Sequence, residues 1–115
     1  MKDRRSEPRF MCADLVKVRI QHGGEAREVV ANLEDISASG ACIQLEAAAQ
    51  EGADVEMICA NCRLRGKVRY CRFSQVGYDV GIAFNQPGSW DRQRFVPKHL
   101  LDVPVAGLDD PAELP

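Results

Sequence analysis

The sequence predicts an all-β fold: a six-stranded antiparallel β-barrel with a short C-terminal helix. Three observations predict it. Short apolar stretches in the middle of the chain alternate with polar residues at period two, the pattern of half-buried strands. Turn-forming residues separate these stretches at short intervals. The chain has 115 residues, the size of one domain with one core. Six short strands in so small a domain hide their edges best by closing on themselves.

The first strand is read from Val16, Val18 and Ile20 alternating with Lys17 and Arg19. Gln21 to Glu25, with Gly23 and Gly24 at its centre, is a turn, and extended character resumes from Glu28 to Asn32 through Val29 and Val30. A loop follows from Asp35 to Gly40, then a short apolar strand from Ala41 to Leu45. Gly52 marks another turn. Val55 to Cys59 and Cys62 to Phe73 form a hairpin around Ala60-Asn61, and Tyr78 to Phe84 is the sixth strand. Along the fifth strand, period two puts Arg63, Arg65, Lys67 and Arg69 on one face and Leu64, Val68 and Tyr70 on the other. The helix is expected after Pro87-Gly88, with Ser89 as N-cap, Asp91 in the first turn, and Pro97 ending it.

Charge divides the chain into three regions. Residues 1–9 form a basic N-terminal arm carrying Lys2, Arg4, Arg5 and Arg9. Residues 10–101 form the barrel domain with its C-terminal helix. Residues 102–115 form an acidic tail, with Asp102, Asp109, Asp110 and Glu113 and no Lys or Arg, expected to be flexible. The net charge of −2 gives no global pull toward nucleic acid. No run approaches the ~20 apolar residues that span a bilayer, so no membrane insertion is expected. The polar N-terminus lacks the apolar stretch of a signal peptide, and the expected location is cytoplasmic. Five cysteines at irregular spacing (Cys12, Cys42, Cys59, Cys62, Cys71) make a poor disulfide framework and fit a reducing compartment.

Two segments offer chemistry. Arg4-Arg5-Ser6-Glu7-Pro8-Arg9 stands just before the first strand. Guanidinium forks match phosphate oxygens and the O6/N7 edge of guanine. Taken alone, such a cluster is more often a solvated basic terminus. The second is Asp35-Ile36-Ser37-Ala38-Ser39-Gly40. An ionised Asp35 accepts from the N1–H and N2–H₂ donors of guanine, Ser37 donates or accepts, and Gly40 permits positive φ or a close approach. Taken alone, this stretch is a turn that satisfies its own backbone.

Together the patterns are more specific. Arg-x-x-x-Arg before a first strand (Arg5, Arg9), then Asp-x-Ser-x-x-Gly after a second (Asp35, Ser37, Gly40), resembles the PilZ domain, a bacterial receptor for cyclic di-GMP. The stretches Gly66-Lys67-Val68-Arg69-Tyr70, Tyr78 to Phe84 and Arg94-Phe95-Val96-Pro97 resemble its later strands and C-terminal region. The resemblance covers about Arg4 to Leu101. It implies a ligand on the barrel surface wrapped by the arm, with Arg4, Arg5, Arg9, Asp35, Ser37 and Gly40 as binding residues. In PilZ-like proteins an arginine directly before the pair goes with binding the ligand as a stacked, intercalated dimer, which Arg4 implies here. Independently of the resemblance, a short arm with three like charges and few apolar anchors is expected to be mobile when free, to be ordered by the ligand's phosphates on binding, and so to present a surface to an effector protein the sequence does not identify.

The alternative is a small β-barrel that binds nucleic acid, or a protein-interaction module, without cyclic di-GMP binding. The basic stripe Arg63–Arg69 favours it, since no acid stands between Ala60 and Tyr78. Nucleic acid is nonetheless the less expected partner, because aromatic stacking platforms are scarce at 6% of residues. Cys59-Ala60-Asn61-Cys62 is one Cys-x-x-Cys pair, short of the four ligands of a structural zinc. The bland reading is buried or turn thiols. No metal or other cofactor is expected. An enzyme is the least expected class: His22 and His99 lack evident Ser, Cys or Asp partners, and no phosphate loop or metal triad occurs.

Overall fold

A computed structural model describes residues 7–101; Arg4, Arg5 and the rest of the arm before Glu7, together with the tail 102–115, lie outside the described residues. Six strands form a closed barrel: β1 (Phe10–His22), β2 (Glu25–Ile36), β3 (Gly40–Leu45), β4 (Asp54–Cys59), β5 (Cys62–Ser74) and β6 (Gly77–Phe84). Their order around the barrel is β1-β2-β3-β6-β5-β4, and every neighbouring pair is antiparallel. The strands fall where alternation places them, with β1 and β2 longer at their ends than the apolar pattern alone shows. Asp35 belongs to the end of β2 rather than to the loop.

The alternation is realised in burial. Val16, Val18 and Ile20 point into the barrel, while Lys17, Arg19 and Gln21 are exposed. Leu33, Ile36, Ile43, Met57, Leu64 and Ile82 form the centre of the core, each almost wholly shielded from solvent. Burying a side chain of this size stabilises by about 1.5–3 kcal/mol. Gly23 and Gly24, at φ +60° and +86°, make the β1–β2 turn. Positive φ at both central residues matches the turn to the right-handed twist of the strands.

Three bulges shape one side of the barrel. The pairing register shifts between Met11 and Asp14 in β1, between Leu33 and Asp35 in β2, and between Val68 and Tyr70 in β5. One extra residue flips the parity of everything beyond it. Leu33 and Ile36 are therefore both in the core though three positions apart, and Asp35 faces out. The same shift corrects the expectation for Tyr70. It does not join Leu64 and Val68 inside; its half-buried ring lies on the outer face against Gly81, where an added Cβ would stand 2.1 Å from the ring.

The expected C-terminal helix does not form between Ser89 and Pro97; among the described residues there is no helix. Between Ser89 and Pro97 only a single turn occurs, at residues 92–94. Asp91, not Ser89, caps it, its carboxylate accepting from the N–H of Gln93 (2.9 Å) and Arg94 (3.1 Å). Pro97 disfavours helical backbone at Val96 and leaves too few residues to repay nucleation. The segment instead straps the barrel end. Trp90 is buried, donates its indole N–H to Phe95 O at 2.9 Å, and meets the Phe10 ring edge-on. Ala13 N–H donates to Lys98 O and Leu101 N–H to Met11 O, so the strap covers the β1 edge beyond the reach of β4, whose pairing with β1 spans Lys17–Gln21.

Candidate functional site

Antiparallel pairing gathers the entry of β1, the β2–β3 connection and the β4–β5 turn at one end of the barrel. There Phe10 pairs with Ile36 and Met11 with Asp35, so the bend lies directly beside the point where the arm enters. The expected convergence of Arg9 with the Asp35–Gly40 segment is present: Arg9 Nε is 3.7 Å from Asp35 Oδ1.

Asp35 is mostly buried, and its Oδ1 accepts no hydrogen bond. Burial pushes its carboxyl above the ordinary 3.8, and the Arg9 guanidinium pulls it back only in part. A row of neighbours continues across the outer wall: Asp35 on β2 pairs with Cys42 on β3, Cys42 with Gly81 on β6, and Gly81 with Tyr70 on β5. Ala41 and Ile43 on either side of Cys42, and Val80 and Ile82 on either side of Gly81, are core residues, which sends Cys42 outward and leaves a flat spot at Gly81. The Tyr70 ring covers that spot, its hydroxyl donating to Cys42 Sγ at 3.9 Å, and the Arg72 guanidinium stacks over the ring at 4.5 Å. Glu34 accepts from the Cys42 thiol at 3.7 Å; burial first, and then the charge of Asp79, raise its carboxyl above 4.5. Burial, with help from Asp35, Asp14 and Glu34, pushes the Cys12 thiol up to about 12. This wall combines a buried acceptor, a stacked cation and an aromatic ring.

The two serines differ in what they bond. Ser37 is buried, and both its N–H (2.8 Å) and its hydroxyl (3.3 Å) donate to Gly40 O, closing the loop. Its side chain shapes the bend. Ser39 presents its donors to the arm: its N–H (3.0 Å) and hydroxyl (2.6 Å) both donate to the Glu7 carboxylate. Gly40 is not among the positive-φ glycines; it starts β3, paired with Ala83. Of its two expected uses, only close approach remains. Arg4 and Arg5 lie outside the described residues. Sequence reasoning missed Glu7, Ser39, Tyr70 and Arg72. Glu7 and Ser39 stood inside the two motifs and were readable as a possible acid–donor pair; for Tyr70 and Arg72 no local signal existed.

The basic stripe is matched by acids that the linear sequence keeps elsewhere. Arg65 bonds Glu56 at 2.9 Å, Arg63 approaches the same carboxylate at 3.7 Å, and Lys67 bonds Asp54 at 2.7 Å. All five cysteines are free thiols. Cys59 and Cys62 pair across the β4–β5 turn, and no group of three metal-ligating side chains occurs among the described residues. No helix of the described residues is long and apolar enough to cross a membrane.

Comparison with known proteins agrees with this architecture. The inhibitor of motility MotI/DgrA of Bacillus subtilis is a solved structure similar to this one, with a TM-score of 0.52 and 17% identity over 80% of this chain. The match takes in 47% of that protein, so the chain spans about half its length, and the likeness is one of fold. Curated proteins gave no match. The PilZ domain profile matches residues 3–96, which takes in the arginine pair, the Asp35–Gly40 bend and all six strands, and the chain belongs to the PilZ domain family.

Proposed function

We propose that this PilZ domain is a cytoplasmic receptor for cyclic di-GMP that passes the signal to an effector protein and carries out no catalysis. The observation that supports this most is the Arg9–Asp35 pair: a guanidinium 3.7 Å from a buried carboxylate oxygen that accepts no hydrogen bond. Guanine N1–H and N2–H₂ are the donors Asp35 lacks, and a phosphate or the guanine O6/N7 edge is the acceptor Arg9 suits. Arg4 and Arg5 add two guanidiniums from the arm, enough for two phosphates and for stacking on guanine. Ser37 and Gly40 hold the bend against which the ligand rests. Charge-assisted hydrogen bonds contribute about 1.5–3 kcal/mol each, and several of them reach the −8.2 kcal/mol or so of a micromolar complex.

Binding neutralises the like charges of the arm and draws its first residues onto the barrel, creating a surface for the effector. With Arg4 beside Arg5, the ligand binds as a stacked dimer. The test is isothermal titration with cyclic di-GMP: saturation at two ligands per chain is expected, and one per chain removes the dimer. Silence at millimolar ligand, with tight salt-sensitive binding of single-stranded oligonucleotides, replaces the receptor reading by the nucleic-acid one. The pairing of β5 cations with Glu56 and Asp54 argues against that outcome.

A further inference from the structure

Within the arm, Glu7 sits between the two motif arginines, where an acid works against a purely electrostatic grip on a dianion. Its carboxylate takes both donors of Ser39, the N–H at 3.0 Å and the hydroxyl at 2.6 Å, across 32 positions of sequence. Ser39 is itself fixed, because its carbonyl accepts from Phe84 N–H at 2.8 Å at the end of β6. Pro8 follows Glu7 directly. Proline locks its own φ and restricts the residue before it to extended backbone. Glu7-Pro8-Arg9 is therefore a stiff lever: once the carboxylate is seated on Ser39, few directions remain for Arg9, and the one observed aims it at Asp35.

The geometry points to Glu7 as a positioning residue, an anionic latch that seats the root of the arginine arm on Ser39 before ligand arrives. This rests on the receptor reading and deepens it. Fixing the root of the arm during binding costs affinity, and a latch already closed in the free protein removes part of that cost. The opposite role is a plug, in which the carboxylate holds donors that a ligand phosphate needs. The latch is favoured because Glu7 engages the Ser39 end of the bend, while the unsatisfied acceptor lies at the Asp35 end, beside Arg9.

The test uses the full chain as wild type, Glu7→Ala, Glu7→Gln, Ser39→Ala and the Glu7→Ala/Ser39→Ala double variant. Amide exchange at Arg9 and Phe10 is measured without ligand, and cyclic di-GMP affinity by calorimetry. The latch predicts exchange at Arg9 and Phe10 accelerated at least severalfold in Glu7→Ala and Ser39→Ala, with affinity weakened about tenfold, equivalent to about 1.4 kcal/mol. The double variant loses no more than either single one, because the two residues act as one contact. Glu7→Gln, which keeps an acceptor without the charge, falls between, and the denaturation midpoint stays put. Tighter binding in Glu7→Ala establishes the plug and overturns the latch, as do unchanged exchange and unchanged affinity. If wild type ignores the dinucleotide, the receptor reading fails, while the exchange measurement still decides the latch.

Discussion

Arg9 and Asp35 face each other at 3.7 Å, on the root of the arm and the end of β2, and neither fully satisfies the other. The distance is an ion pair but too long for a hydrogen bond. On the receptor reading, a ligand that donates to Asp35 supplies the hydrogen bond its Oδ1 lacks, and Arg9 stands beside it as the donor to the ligand's acceptors. Arg9→Ala is accordingly expected to weaken cyclic di-GMP by tenfold or more, about 1.4 kcal/mol per decade. Titration calorimetry checks it, and unchanged affinity removes Arg9 from the site.

Acid is expected to have opposite effects on folding and on binding. Asp35 has a folded value raised above 3.8, by burial against a partial offset from Arg9, and Glu34 one raised above 4.5, by burial and then Asp79. A carboxyl raised in the fold favours folding in its protonated form, so its contribution is full below the unfolded value and is lost as pH rises through the folded one. Asp35→Asn should raise the urea midpoint at neutral pH and flatten its pH dependence just above the ordinary carboxyl range. Acceptance of guanine N–H donors needs the ionised form, so cyclic di-GMP affinity should fall as pH drops through that same window. Titrations across the window test both; affinity that is level with pH removes Asp35 as the guanine acceptor.

Two glycines of the barrel wall differ in what confronts them. A Cβ on Gly66 would lie 2.2 Å from the backbone oxygen of Ala83, and one on Gly81 2.1 Å from the Tyr70 ring. Backbone of a neighbouring strand cannot step aside; a ring at the surface can. Gly66→Ala should cost more than the ~1–3 kcal/mol usual for overpacking, and Gly81→Ala less than Gly66→Ala. Tyr70→Ala should rescue Gly81→Ala and leave Gly66→Ala uncorrected, as read from urea denaturation.

Trp90 anchors the strap that replaces the expected helix. It is 3% exposed, its indole N–H is held by Phe95 O, and its backbone N–H reaches Ala38 O at 3.4 Å in the bend. Trp90→Ala should cost about 3–5 kcal/mol, and Trp90→Phe, which keeps most of the packing, distinctly less. Circular dichroism during denaturation measures both. Faster amide exchange at Ala38 and Ser39 in Trp90→Phe would show that the strap also steadies the bend.

The strands were legible because each needs only a local rule. Val16, Val18 and Ile20 alternate with charges, Gly23-Gly24 turns the chain, and Ala60-Asn61 joins two apolar runs. The same rule misplaced Tyr70, because counting by twos cannot register an inserted residue such as the one between Val68 and Tyr70. It also left the Arg63–Lys67 stripe looking unopposed, since Glu56 and Asp54 become its neighbours only when β4 pairs with β5. Ser89 and Asp91 look like a helix start in sequence, yet Trp90 packing and the covering of the β1 edge settled the segment as a strap.

From the sequence alone came the closed all-β architecture, the family likeness and the identity of the arginine and aspartate motifs, all of them properties of residue order and short-range pattern. Tertiary structure alone decided which serine shapes the bend and which bonds Glu7, that Tyr70 and Arg72 join the outer wall, and that Arg9 lies beside Asp35. These depend on bulge parity and on contacts between residues far apart in the chain, and neither exists until the barrel has closed.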